Sequence, residues 1–200
     1  KTVFQGTYQF YQYEYTKAPV KARTRIGGSG SKLESSIQEV LQKCNAHDGM
    51  TISFHHHFRE GDLVVMQVMN VIHELGYKDI TICASSLSKA QDDLVPMIED
   101  GTVTHIETSG VRGKIGEAIS EGKLKGIAIL RSHGGRVRAI ETGETKIDIA
   151  FIGAPSCDEY GNCRGVGGNS NCGVLSYGVL HKHPIKATHH FFYLFKLTKK

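Results

Sequence analysis

The stretch Gly49–Ala84, "GMTISFHHHFREGDLVVMQVMNVIHELGYKDITICA", decides how the rest of the chain is read. It opens on "GMTISF", a short apolar alternation suited to a strand. "DLVVMQVMNVIHELG" follows with apolar residues at helical spacing and stops at Gly76, a common helix terminator. "DITICA" then reads as a second strand. Strand, helix and strand in succession make a βαβ unit, so the two strands run parallel. Between the first strand and the helix stands "HHHFREG", three consecutive histidines and an arginine.

The same alternation extends in both directions. Upstream, "LESSIQEVLQKC" has apolar residues at 33, 37, 40, 41 and 44, a helical spacing. Downstream, "QDDLVPMIEDG" reads as a short helix, "TVTHIET" as a strand, "GKIGEAISEGK" as a helix and "GIAIL" as a strand. "RVRAIETGE" adds a short helix and "IDIAFIGA" a strand. The expected fold is α/β: an open, mainly parallel sheet with helices on both faces. Strands rich in Ile and Val fit a sheet covered on both sides. Residues 1–31, with tyrosines, a proline and a Gly/Ser run, read as an N-terminal arm and linker. Residues 32–178 read as the α/β domain, and 179–200 as a basic, aromatic tail unlike what precedes it.

Composition excludes several functions. With 40% hydrophobic and 22% charged residues the chain is an ordinary globular one. It has no apolar run of roughly 18–20 residues and no leading signal pattern, so no membrane role is expected. The cysteines, Cys44, Cys83, Cys157, Cys163 and Cys172, form no CxxC pair. Neither a zinc site nor a disulfide framework is expected, and a reducing cytoplasm fits best. The net charge of +4 misleads, because five basic residues lie in 1–31 and five lysines in 181–200. The segment between carries 14 basic and 19 acidic residues, so no basic face for nucleic acid is expected.

Ligands of open α/β sheets bind outside the carboxyl ends of the strands. The stretches after the expected strands are "HHHFREG", "SSLSK", "SGVRG", "RSHGGR" and "PSCDEYGN". All six arginines of residues 32–180 lie in or beside them: Arg59, Arg112, Arg131, Arg136, Arg138 and Arg164. Arginine offers a planar fork that matches carboxylates and phosphates. Several of these loops lead into helix N-termini, which favour anions. The residues alone therefore point to a pocket for an anionic small molecule.

The histidine run has three readings. If 52–57 continue an extended chain, His55 and His57 share one face and His56 takes the other. A tetrahedral metal site needs more converging ligands than that; His133 is a candidate third, but no carboxylate pattern joins it. No metal is therefore expected. The run is either a polar strand edge that caps the next helix, or a set of donors for an oxyanion or carboxylate.

Longer motifs carry a family likeness. "DGMTISFHHHFREGD", "TSGVRGKIGEAISEGKL", "RSHGGRVRAIETGETKIDIAFIGAPSCDEYGN" and "CGVLSYG" together resemble the α subunit of citrate lyase, from about Leu33 to Gly178. The resemblance implies a CoA-transferase-like fold and exchange of citrate for acetate on the thiol of an acyl-carrier protein or of CoA. A citrate carboxylate would attack the acetyl thioester, giving a mixed anhydride from which the thiolate takes the citryl group. No tightly bound cofactor is implied, only the phosphopantetheine-type thioester of the acyl-carrier protein or acetyl-CoA. The implied partners are the β (lyase) and γ (acyl-carrier) subunits of a cytoplasmic complex.

By position, the resemblance assigns His55, His56 and His57 to the thioester carbonyl and Arg59 to a carboxylate. Arg131, Ser132, His133, Gly134, Gly135, Arg136 and Arg138 would bind citrate or phosphopantetheine. Ser85, Ser86, Ser109, Gly110 and Arg112 would wall the pocket. Asp158, Gly161 and Asn162 are either ligand-facing or ordinary turn residues. After Tyr177 the likeness fails, where the family continues into a further helix, a strand and a second domain. The expectation is an N-terminal half, truncated and weakly active or inactive alone. Related folds also serve as sugar-phosphate isomerases and ligand sensors, so a non-catalytic anion-binding domain is the alternative, and a structural subunit docking a lyase partner a third.

Overall fold

The computed structural model describes residues 33–55, 61–159, 163–168, 171–172 and 189–194. By its internal contacts the chain divides into Lys1–Gly30 and Ser31–Lys200, and every described residue belongs to the second unit. The chain order is α1 (Ile37–Lys43), β1 (Thr51–Phe54), α2 (Val64–Glu74), β2 (Ile80–Ala84), a 3-10 turn (Lys89–Leu94) and α3 (Val95–Glu99). Then come β3 (Val103–Thr108), α4 (Lys114–Ser120), β4 (Ala128–Leu130), α5 (His133–Thr142) and β5 (Ile149–Ala154). A hairpin of β6 (Ser156–Cys157) and β7 (Cys163–Arg164) follows, and β8 (His189–Leu194) is last. None of the described helices is long and apolar enough to cross a membrane.

Six strands form one sheet in the order β4-β3-β2-β1-β5-β8, with every neighbouring pair parallel. Of the stretch set apart as a tail on sequence grounds, residues 189–194 thus pair with β5 as an edge strand. The alternation along each strand explains the layers. Ile52, Phe54, Ile82, Ile106, Ile149 and Phe151 face one side and join a single buried cluster with α1, α2, α3 and α4. Within it the Phe54 and Phe151 rings stack across β1 and β5, with centroids 5.9 Å apart. α2 supplies Val64, Val65, Met66, Val68, Met69 and Ile72, all buried. Fully burying side chains of this kind contributes about 1.5–3 kcal/mol each.

The second face is built differently. Thr51, Ser53, Thr81, Cys83, His105 and Glu107 occupy its positions on β1, β2 and β3, so it is polar. Among the described helices only α5 covers it, through a small cluster of Ile140, Ile147 and Ala150. The helices therefore lie on both faces, as expected, but four to one.

Two element boundaries shift for local reasons. α5 begins at His133, three residues before the sequence pattern suggests, because Ser132 caps it by accepting the Gly135 N–H at 3.0 Å. "SHGG" is thus cap and first turn of a helix rather than a free loop. The helix expected at 91–101 begins as the 3-10 turn, where Ser88 and Gln91 form a capping box. At Gly113, φ is +71° and a Cβ would collide with the Asp92 carboxylate, whose Oδ1 accepts the Lys114 N–H at 2.8 Å. Only glycine fits there without strain.

Candidate functional site

Strand order locates the crevice. From β1 the chain steps outward through β2, β3 and β4, then returns to the other side of β1 to make β5. Connections diverge between β1 and β5, and a ligand crevice opens at the carboxyl ends of strands at such a point. The segment after β1 is the histidine run; the segment after β5 is "PSCDEYGN". Two of the five polar loops therefore flank the crevice directly. His55 follows β1 and is half-buried, and Asp158 is exposed in the β6–β7 turn. His56, His57, Arg59, Gly161 and Asn162 lie outside the described residues.

α5 brings a third loop toward the same place. Its connection crosses the second face from β4 to β5, and the buried Arg136 fixes where. The Arg136 Nη2 donates to the Cys83 carbonyl at 2.8 Å and to Ser53 Oγ at 3.3 Å. Those residues stand near the carboxyl ends of β2 and β1, so the first turns of α5 lie above the two strands that lead into "HHHFREG" and "SSLSK". Arg136 is 3% exposed and serves as a strut rather than a surface ligand. Burial raises the Cys83 thiol, although the nearby Arg136 guanidinium works in the opposite direction.

The other residues of this loop divide into supports and open positions. Arg131 is held by Glu144 at 2.8 Å and by Glu107 at 3.6 Å, and it is 18% exposed. Its charge is already answered. Ser132 is committed to the helix cap, and a Cβ on Gly135 would crowd Ser132 Oγ at 3.1 Å. His133, Gly134 and Arg138, by contrast, are exposed, and nothing lies within 4 Å of a Cβ built on Gly134. Space and charge remain for a ligand on these three.

The loops after β2 and β3 are stitched together. Leu87 N–H donates to the Gly110 carbonyl at 3.0 Å, and Arg112 N–H to the Leu87 carbonyl at 3.1 Å, forming a parallel bridge with Val111. Ser85 is buried, Ser86 and Ser109 half-buried, and Arg112 exposed. The Ser109 Oγ is buried with no hydrogen-bond partner among the described residues.

Two residues that the motif reading passes over tie this pair of loops to the histidine run. Gln91 Nε2 donates to the Asp62 carbonyl at 3.1 Å, while its Oε1 accepts the Ser88 N–H at 2.9 Å. Both side chains are 1% exposed. The Asp62 Oδ1 accepts the Val64 N–H at 2.9 Å at the start of α2. Burial pushes the Asp62 carboxyl up to about 6, offset in part by that N–H. The spacing Ser88-x-x-Gln91 is a capping-box signature visible in the sequence; the reach of Gln91 to Asp62 is not.

A groove of about 250 Å³ lies elsewhere on the polar face, bordered by Thr51, Thr81, His105, Glu107, Ile129 and Glu144 among others. Its two carboxylates are engaged by Arg131, and Thr145 Oγ1 also donates to Glu107 at 2.6 Å. It sits nearer the amino ends of β1 and β2, and its lining sets Lys146 beside the two carboxylates Glu107 and Glu144, which work against an anion. The crevice at the carboxyl ends fits an anion better, with Arg112 exposed on the loop after β3 and His133 and Arg138 exposed on α5.

Comparison with known proteins shows the family. Residues 30–188 match the family profile "Citrate lyase, alpha subunit (CitF)". The match runs ten residues past Gly178, where the motif likeness ended. The chain is 46% identical over 172 residues to the citrate lyase alpha chain of Escherichia coli K12, covering 86% of this chain and 31% of that one. It is 48% identical over 146 residues to the citrate lyase alpha chain of Haemophilus influenzae, covering 73% of this chain and 29% of that one. A Streptococcus mutans protein described as an alpha subunit of citrate lyase, solved in complex with citrate, superposes with a TM-score of 0.79 at 45% identity. That superposition covers 88% of this chain and 34% of the other. The chain thus spans about a third of the length of these relatives.

Proposed function

Because the chain belongs to the citrate lyase alpha subunit family, we propose that it carries one part of a citrate CoA-transferase site and holds citrate at the β1–β5 crevice. The observation that supports this most is the placement of His55 after β1, of the α5 N-terminus above β1 and β2, and of Asp158 after β5, around one topological switch point. The whole enzyme would exchange acetate for citrate on the thiol of an acyl-carrier protein or of CoA, with the β and γ subunits of citrate lyase as partners in the cytoplasm.

In this reading a citrate carboxylate attacks the acetyl thioester carbonyl, and the thiolate later reclaims the citryl group from the mixed anhydride. The reaction needs cations for a tricarboxylate and donors for an oxyanion. His55, His56 and His57 would supply the donors, and Arg59 a cation. Arg112, His133, Gly134 and Arg138 are the open positions suited to citrate or the phosphopantetheine arm. Arg131, Ser132, Gly135 and Arg136 would act behind them, by fixing the loop. No tightly bound cofactor enters this scheme.

Calorimetric titration of the 200-residue chain with citrate, CoA and a sugar phosphate tests the reading. Binding of citrate, weakened at least tenfold by Arg138→Ala, is expected. Binding of the sugar phosphate alone would favour a non-catalytic domain of the same fold. Release of acetate from acetyl-CoA in the presence of citrate measures how much of the reaction this part supports.

A further inference from the structure

The β6–β7 hairpin holds two cysteines that the transfer chemistry leaves unused. Cys157 and Cys163 are direct partners across the antiparallel pair. Both are free thiols, both are half-buried, and their side chains hydrogen-bond to each other. Opposed residues of an antiparallel pair have Cα atoms about 4.5–5.5 Å apart, inside the roughly 4.4–6.8 Å range of disulfides. Forming an S–S bond here requires side-chain rotation and no rearrangement of the strands. Cys44 and Cys83 are buried in the sheet-and-helix body and face no second cysteine.

We propose that Cys157 and Cys163 are a redox-active pair that forms a reversible disulfide across the hairpin, by exchange with a low-molecular-weight disulfide such as oxidised glutathione. One protein thiolate attacks the glutathione S–S bond, forming a mixed disulfide and expelling one glutathione thiolate. The second protein thiolate attacks the protein-side sulfur and expels the other glutathione. Two cysteines lose two electrons, one small disulfide gains them, and two protons pass from the protein thiols to the departing thiolates.

The surroundings set the tempo. Burial first, then the adjacent thiol and the Asp158 carboxylate, push the Cys163 thiol up to about 12; burial and Asp158 raise Cys157 as well. Thiolate is scarce at neutral pH, so the first attack is slow. The second also needs a thiolate, but it is intramolecular between cross-strand partners, and so outpaces the first encounter with glutathione. The pair therefore records a sustained oxidising condition rather than a brief one. Once closed, the bridge would tie β6 to β7 covalently, next to Asp158.

Incubation of the full chain in mixtures of oxidised and reduced glutathione, then acid quench, alkylation and peptide mass mapping, tests this. The expected product has lost two hydrogens, shows a Cys157–Cys163 linked peptide, and reverts with excess dithiothreitol. Cys172, whose N–H donates to the Gly165 carbonyl beside the hairpin, is the competing partner. Cys172→Ser is expected to change the bridged fraction by less than twofold, and Cys163→Ser to stop at a single glutathione adduct. A persistent glutathione adduct on the unsubstituted chain, a bridge to Cys172, or no oxidation of the hairpin at all overturns the proposal.

Discussion

Replacing Asp62 by asparagine probes the tightest piece of electrostatics beside the histidine run. Asp62 is 1% exposed, its Oδ1 accepts the Val64 N–H, and among the described residues no other donor and no cation pairs with its carboxylate. Burial raises it from 3.8 to about 6. Below about pH 4 both folded and unfolded chains are protonated at this group, and the stability tied to the proton is fully present. As pH rises from about 4 to 6 the unfolded carboxyl ionises while burial keeps the native one protonated, and that stability is progressively lost, completely so once pH passes the native value of about 6. A shift of about two units corresponds to about 3 kcal/mol across the window, an upper figure because native relaxation and denatured-state contacts reduce it. Asparagine keeps the Oδ1 acceptor for Val64 and carries no charge, so Asp62→Asn should not titrate.

Urea unfolding of both proteins from pH 4 to pH 8 measures the effect. The stability of the variant relative to the unsubstituted chain should climb by about 2–3 kcal/mol, most of it between about pH 4 and pH 6, and level off above pH 7. The slope carries the test, since the new amide N–H2 shifts the offset at every pH alike. A difference that stays flat from pH 4 to pH 8, or one that falls, would show that the carboxylate is paired, and the reasoning would fail.

Gln91→Glu keeps the capping box, which accepts either residue, yet removes the donor to the Asp62 carbonyl. A loss of about 2 kcal/mol in urea unfolding is expected, with faster amide exchange at Asp62 and Leu63; an unchanged chain would mean that the link is idle. Arg136→Lys cannot reach both Ser53 Oγ and the Cys83 carbonyl with one ammonium, and should cost about 2–3 kcal/mol, whereas Arg138→Lys should stay within about 0.5 kcal/mol. Gly113→Ala forces a Cβ into a positive-φ site against Asp92, and should lower stability by about 2 kcal/mol, read as a lower unfolding midpoint. Ser132→Ala removes the α5 cap at about 1 kcal/mol, also by urea unfolding.

The elements themselves were legible because their signals are local. Alternation in "TISF" and "ITICA" and helical spacing in "VVMQVMNVIHE" report which side chains meet the core, and Gly76, at φ +80°, ends α2 where the pattern stops. The same locality let the polar loops be assigned to one sheet edge before any strand order was known. Arg136 and Arg138 show where it ran out. Both stood in one motif as anion ligands, but two residues along a helix turn a side chain by about 200°, so one is buried against β1 and β2 while the other faces solvent. That distinction required knowing that α5 starts at His133, capped by Ser132, and which strands it crosses.

Sequence by itself determined the α/β class, the loops that carry the polar residues, and membership of a family whose motifs are long enough to identify it. Tertiary structure alone decided the order β4-β3-β2-β1-β5-β8, and with it the choice of the β1–β5 gap as the crevice. It also decided that Arg131 spends its charge on Glu107 and Glu144, that Gln91 links two loops through Asp62, and that Cys157 meets Cys163. The physical reason is one of range. Periodicity and capping depend on residues within a few positions of each other, whereas strand neighbours, buried ion pairs and facing thiols depend on which distant segments the packing brings together.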